Sequence, residues 1–219
     1  MEKASLVVLI SGSGSNLKAI INAINSGQLH AEIKAVISSK AAATGLQYAT
    51  EENIPAHIIE HKRFSTREAF DQTMMQIIDP LEPDLVVLAG FMRILSPGFI
   101  QHYQQRLINI HPSLLPKYKG LNTHQQALDE QAQIHGASVH YVTDELDSGP
   151  IVIQAELPVF ATDTVETLAQ RVLSEEHKIY PLAIQMHIDG RISFDRNHLL
   201  LDKQPLQKAL IWKDNQLHQ

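Results

Sequence analysis

The stretch Asn109-Ile110-His111-Pro112-Ser113-Leu114-Leu115-Pro116 sets an amide and an imidazole two residues apart, next to a proline-stiffened turn. Residues two apart on a strand project to the same side, so Asn109 and His111 should point together while Ile110 packs behind them. Pro112 disfavours a helical backbone at His111 and keeps that residue extended. An amide donor beside an imidazole can stabilise an oxyanion and move a proton at the same centre. The same pair also fits a turn-forming Asn and a surface His with no ligand. A carboxylate would complete the set, and Thr143-Asp144-Glu145-Leu146-Asp147-Ser148-Gly149-Pro150 is an acidic loop closed by a Gly-Pro turn. Acidic loops are usually just solvated, but a carboxylate folded against His111 would favour the imidazolium that a general acid requires.

Two further segments could hold ligands. In Ser11-Gly12-Ser13-Gly14-Ser15-Asn16, small residues let the backbone approach an anion, and the N–H groups at a helix start favour phosphate. It is not the dinucleotide fingerprint, which needs glycine where Leu17 stands, nor a Walker loop, which needs a Gly-Lys pair. A tight turn without ligand is the alternative. Gly90-Phe91-Met92-Arg93-Ile94-Leu95 could line a pocket for a flat, partly apolar ligand with an acidic end, or be ordinary core at a helix start.

The elements that must position these segments follow from hydrophobic periodicity. Continuous apolar runs predict buried strands over 6–10, 33–37, 54–59, 84–89 and 107–110. Between them, Ser15 or Asn16 caps a helix through Leu17, Ile20, Ile21 and Ile24 that stops at Gly27. A second helix passes through Leu46 and Tyr48. A third opens at Ser65 with Glu68 as a capping box and runs to Pro80, and a short fourth covers 99–103. This alternation predicts an α/β chain: a Rossmann-like, mostly parallel sheet with helices on both faces, whose ligands sit at the carboxyl ends of the strands. A loop over 111–122 then leads to a helix over 123–132 and two antiparallel strands, 137–142 and 151–159. An amphipathic helix over 165–187 should bend or break at Pro181. The expected organisation is one domain over 1–219: a phosphate-binding lobe (1–103), a catalytic lobe (104–190) and a tail (191–219) of no legible pattern.

Composition narrows the chemistry. The 219 residues include twelve histidines and no cysteine, which removes disulfides, thiolate nucleophiles and zinc–thiolate sites. With 44% hydrophobic and 19% charged residues the chain can bury a full core. A net charge of −6 without a Lys/Arg run argues against a nucleic-acid partner. The first sixteen residues are too polar for a signal peptide or membrane span, so a cytoplasmic location is expected. His135 and His140 are separated by an odd number of positions, which on a strand sends them to opposite faces, and no His-Glu-x-x-His is present; no metal site is expected.

Taken together, Leu9 to Leu17, Leu88 to Leu95, Asn109 to Pro116, and His135-Gly136-Ala137-Ser138-Val139-His140 followed by Asp144 to Pro150 resemble the phosphoribosylglycinamide formyltransferases, folate-dependent enzymes of purine synthesis. The resemblance spans about residues 6 to 182 and implies the formyltransferase fold, with 10-formyltetrahydrofolate as cosubstrate and small molecules as the only partners of a monomer or weak homodimer. It implies catalytic roles for Asn109, His111 and Asp147, and ribonucleotide contacts at Gly14, Ser15, Asn16 and Glu176. Folate contacts are implied at Arg67, Met92, Arg93, Ile94, Leu95, Asn109, Thr143, Asp144, Glu145, Leu146 and Asp147. His140 and His124 would support the pocket; Asn122 and Leu173 depart from the residues of some relatives. A 10-formyltetrahydrofolate hydrolase, a methionyl-tRNA formyltransferase and a silent nucleotide-binding module are the competing readings. The second normally carries an additional RNA-binding domain, for which about thirty residues after the long helix give no sign.

Overall fold

The structure, a computed structural model, describes residues 3–196 and 198–219. The chain divides into two compact units, residues 1–109 and 110–219. In the first, the apolar runs become β1 (Ala4–Ile10), β2 (Ala31–Ser38), β3 (Ala56–Ile58) and β4 (Leu85–Leu88), and β5 (Leu107–His111) carries the chain into the second. These strands lie in the order β5-β4-β1-β2-β3, every neighbouring pair parallel. Leu6 to Ile10 and Leu85 to Val87 are fully buried, the reason these segments are continuously apolar and do not alternate. The chain builds outward from β1 to β3, then returns to lay β4 against the other side of β1. Such a reversal is where open α/β sheets place their ligands, and it sets the segments after β1 and β4 side by side.

Four helices connect the strands: α1 (Ser15–Asn25), α2 (Leu46–Glu51), α3 (Arg67–Ile78) and α4 (Pro97–His102). Two starts differ from expectation. The cap of α1 is Gly14, in the left-handed region at φ 70°, and not Ser15 or Asn16. The capping box expected on Ser65 and Glu68 shifts by one residue: Thr66 caps α3 by accepting the Ala69 N–H at 3.1 Å. Ala69 has no side chain to reach back, so only half of the box forms.

The second unit contains α5 (Thr123–Asp129), β6 (Ile134–Tyr141), β7 (Ile151–Pro158) and α6 (Val165–Ile188). β6 and β7 pair antiparallel, as expected. α6 runs through Pro181 without the expected break. Ile179, Tyr180, Pro181, Ala183 and Ile184 are all buried, and that packing outweighs the lost hydrogen bond. The described residues of the tail, which has no legible sequence pattern, form five short strands. β8 (Ile192–Asp195), β9 (His198–Leu201) and β10 (Gln204–Pro205) form a small antiparallel sheet. β11 (Leu210–Lys213) pairs in parallel with β7, and β12 (Gln216–His218) folds back on β11.

Candidate active site

His111 ends β5 and is buried. Its Nε2–H donates to the Tyr118 carbonyl at 2.8 Å, while Nδ1 faces Asp147 Oδ2 at 3.4 Å. The ring nitrogens therefore have separate duties: one is fixed by the backbone and the other meets a carboxylate. The Asp147 loop closes tightly at Gly149, where a Cβ would lie 1.8 Å from the Tyr141 carbonyl oxygen. Asp147 itself adopts φ 49°, a left-handed conformation that Asp tolerates better than most residues. Its Oδ2 accepts the Gly120 N–H at 2.9 Å, and its Oδ1 lies 3.8 Å from His140 Nε2. Burial pushes the His140 imidazole below its usual range, against the opposing pull of the Tyr141 carbonyl and the Asp147 carboxylate.

Tyr118, Lys119 and Gly120 each grip this arrangement. Tyr118 holds His111 and Gly120 holds Asp147, while Lys119 Nζ reaches Glu145 Oε1 at 3.1 Å and also the Ser148 hydroxyl, on either side of Asp147. Those contacts with Lys119 and Ser148 hold the Glu145 carboxyl below its usual range. Lys119→Ala should lower turnover about two- to fivefold, the size expected of an exposed ion pair, and raising salt should bring the unmodified protein toward the variant. Steady-state rates at low and high ionic strength check this. Further along, Ser138 Oγ donates to the Ser113 carbonyl at 2.6 Å and accepts the Leu115 N–H at 3.0 Å, tying the turn after His111 to β6.

His124 Nδ1 and His135 Nε2 meet at 3.1 Å beside Tyr118. Burial, reinforced by His124 and His111, pushes His135 down to about 4, and burial lowers His124 as well. As pH falls below 6.5 the unfolded chain protonates His135 before the folded one does. Stability is thus lost between pH 6.5 and 4 and levels off below, by up to about 3 kcal/mol. Melting temperature against pH should show this slope, and His135→Gln should flatten it. His135 and His140 both lie on β6, whose pairing with β7 shifts register between Val139 and His140, with Val152 of β7 as the extra residue. The unpaired residue of that bulge is therefore in β7 and not in β6.

In the first unit, Ser11 joins the ends of three strands. Its hydroxyl meets Ser39 Oγ at 2.7 Å and accepts the Met92 N–H at 2.9 Å, while its N–H donates to the Gly90 carbonyl at 3.1 Å. Gly14 and Asn16 are buried and Ser15 half-buried. A Cβ on Gly14 would lie 2.5 Å from Gly45 Cα, so two glycines meet beneath this loop. Met92, Arg93 and Ile94 are exposed, Leu95 is buried, and Arg67 is exposed at the start of α3. In the second unit Thr143, Asp144, Glu145 and Leu146 are exposed, Glu176 is buried on α6, Leu173 is half-buried, and Asn122 is exposed at φ 59°. Asn109 is half-buried on β5, two residues before His111.

Sequence reasoning missed Tyr118, Gly120 and Gly45. The first two act through backbone atoms, which leave no signature in residue type. Gly45 is a lone glycine whose partner lies across the unit. Among the described residues no group of three or more His, Asp or Glu side chains could hold a metal ion, and no helix is long and apolar enough to cross a membrane.

A family model described as formyl transferase matches residues 4–184. With its parallel strands, reversed strand order and His–Asp pair, the chain belongs to the formyl transferase family. Within that class, the phosphoribosylglycinamide formyltransferase of Escherichia coli is 52% identical over 202 residues, covering 92% of this chain and 95% of that protein. The solved structure of the phosphoribosylglycinamide formyltransferase from Coxiella burnetii, in complex with CHES, matches with a TM-score of 0.90 at 52% identity, over 94% of this chain and 96% of the other. A formyltetrahydrofolate deformylase from Pseudomonas syringae has a TM-score of 0.84 at 26% identity, covering 91% of this chain and 66% of that one.

Proposed function

We infer that this chain transfers the formyl group of 10-formyltetrahydrofolate to the primary amine of glycinamide ribonucleotide in purine synthesis, releasing tetrahydrofolate. The observation that carries this reading is the buried His111 with Nε2 committed to Tyr118 and Nδ1 turned to Asp147. The amine attacks the formyl carbon, a C–N bond forms, and the carbonyl electron pair moves to oxygen. The Asn109 amide and the His111 imidazolium stabilise that oxyanion. On collapse the bond to the folate nitrogen breaks, and His111 gives that nitrogen its Nδ1 proton. The proton lost by the attacking amine goes to Asp147, directly or through water, and from there restores His111.

Gly14, Ser15 and Asn16 take the ribonucleotide phosphate, and Glu176 holds its glycinamide end. Met92, Ile94 and Leu146 offer the folate large apolar side chains at 62%, 58% and 50% exposure. Leu95, Asn109, Thr143, Asp144, Glu145 and Asp147 complete that site, and Arg67 and Arg93 meet the ligand's acidic end. This is a cytoplasmic enzyme of small molecules, without nucleic-acid, membrane or metal partners, acting as a monomer or weak homodimer. Purified protein should release tetrahydrofolate only when glycinamide ribonucleotide is added. Release without it would identify a hydrolase, and no release in either case a silent binding module.

A further inference from the structure

We propose that Asp71 is a positioning residue for the folate-binding segment at Met92 to Leu95, a role that rests on the reading of that segment given above. Residues 91–95 form an arch pinned at both ends and from behind. At its start the Met92 N–H is held by Ser11 Oγ at 2.9 Å. Behind it Phe91 stacks on Phe70, with ring centroids 6.5 Å apart and planes 9° from parallel. At its end the Ser96 N–H donates to Asp71 Oδ2 at 2.5 Å. Between these pins Met92, Arg93 and Ile94 stand out into solvent. Apolar side chains held out on a fixed backbone make a preformed surface, so binding a flat ring there forfeits little ordering entropy.

Asp71 is a costly way to make the last pin. It is 1% exposed, its Oδ1 is buried without a hydrogen-bond partner, and burial pushes its carboxyl above the usual range. An orphaned buried oxygen calls for a compensating role, and the short bond to Ser96 supplies one. The same bond orders a second element, because Ser96 caps α4 by accepting the Phe99 N–H. Asp71 also follows Arg67 by one turn of α3 and Phe70 by one residue. A single helix therefore carries the guanidinium for the ligand's acidic end and two of the supports for its ring surface. Releasing Ser96 would let the arch shift relative to Arg67 while leaving Ser11 and the phosphate loop in place.

Two-substrate steady-state kinetics on the unmodified enzyme, Asp71→Ala and Asp71→Asn, together with melting curves, test this. Asp71→Ala should raise the folate KM about tenfold, the loss expected for one charge-assisted hydrogen bond. Its ribonucleotide KM and kcat should stay within about twofold of the unmodified enzyme. Asp71→Asn keeps an oxygen for the Ser96 N–H and should hold the rise to about two- to threefold. A purely structural role would move both KM values together or lower kcat with the folate KM unchanged, and either result overturns the proposal. If Asp71→Ala does not fold, Asp71→Asn decides alone: a selective rise in folate KM supports the proposal and an unchanged one overturns it. Absence of ribonucleotide-dependent transfer in the unmodified enzyme would instead defeat the functional reading.

Discussion

Asp147→Asn should lower kcat by roughly 10²–10⁴, the range for removing a positioned proton-transfer group, and leave the ribonucleotide KM within about threefold. The substitution conserves shape. An Asn oxygen can still accept the Gly120 N–H that Asp147 Oδ2 now binds at 2.9 Å, so the loop should remain in place. What disappears is the negative charge 3.4 Å from His111 Nδ1, and with it the acceptor that the proposed mechanism gives the amine's proton. Initial-rate measurements with each substrate saturating in turn separate kcat from both KM values. Turnover comparable to the unmodified enzyme would remove Asp147 from the mechanism.

Gly45→Ala should act on the other substrate. Gly45 has φ −61°, an ordinary value for any residue, so the backbone itself permits alanine. The obstacle is space: the new Cβ would lie 2.7 Å from Gly14 Cα, 2.9 Å from Gly14 N and 3.1 Å from Ile10 Cδ1. The two closest atoms are backbone and cannot swing aside, so the loop over 11–16 must move. Displacement of this order at a binding loop is expected to raise the ribonucleotide KM by about 10- to 100-fold with the folate KM unchanged. Gly98→Ala serves as control, since nothing lies within 4 Å of a Cβ there. Equal KM values for Gly45→Ala and Gly98→Ala would show that the phosphate does not depend on this loop.

How far the sequence carries can be judged from these residues. β1 and β4 were legible because burial on both faces demands continuous apolar runs, and the antiparallel pair β6 and β7 because each is long enough to show strand character. β8 to β12 were not, because two to four residues are too few to establish a period. Helix starts slipped where backbone shape decided the cap: Gly14 is set by its approach to Gly45, a contact that no local pattern encodes. In the candidate site, His111 announced itself by type and spacing, whereas Asp147 was one of several carboxylates in an acidic loop and was singled out only by the resemblance to the formyltransferases. Tyr118 and Gly120 carried no such signal, since a carbonyl and an N–H belong to every non-proline residue. The register shift between β6 and β7 likewise has no residue signature.

The bond from His111 Nε2 to Tyr118 has a consequence for how protons travel. An imidazole with both nitrogens open can take a proton on one side and release another from the far side, acting as a conduit. Here the far side is closed by a carbonyl that has no proton to exchange. In the proposed mechanism His111 would therefore load and unload at Nδ1 alone, working as a ferry with a single landing. In the mechanism proposed above the reloading proton arrives on the Asp147 side and comes from the attacking amine, so regeneration of the acid is tied to the substrate's own proton and not to bulk solvent behind the ring.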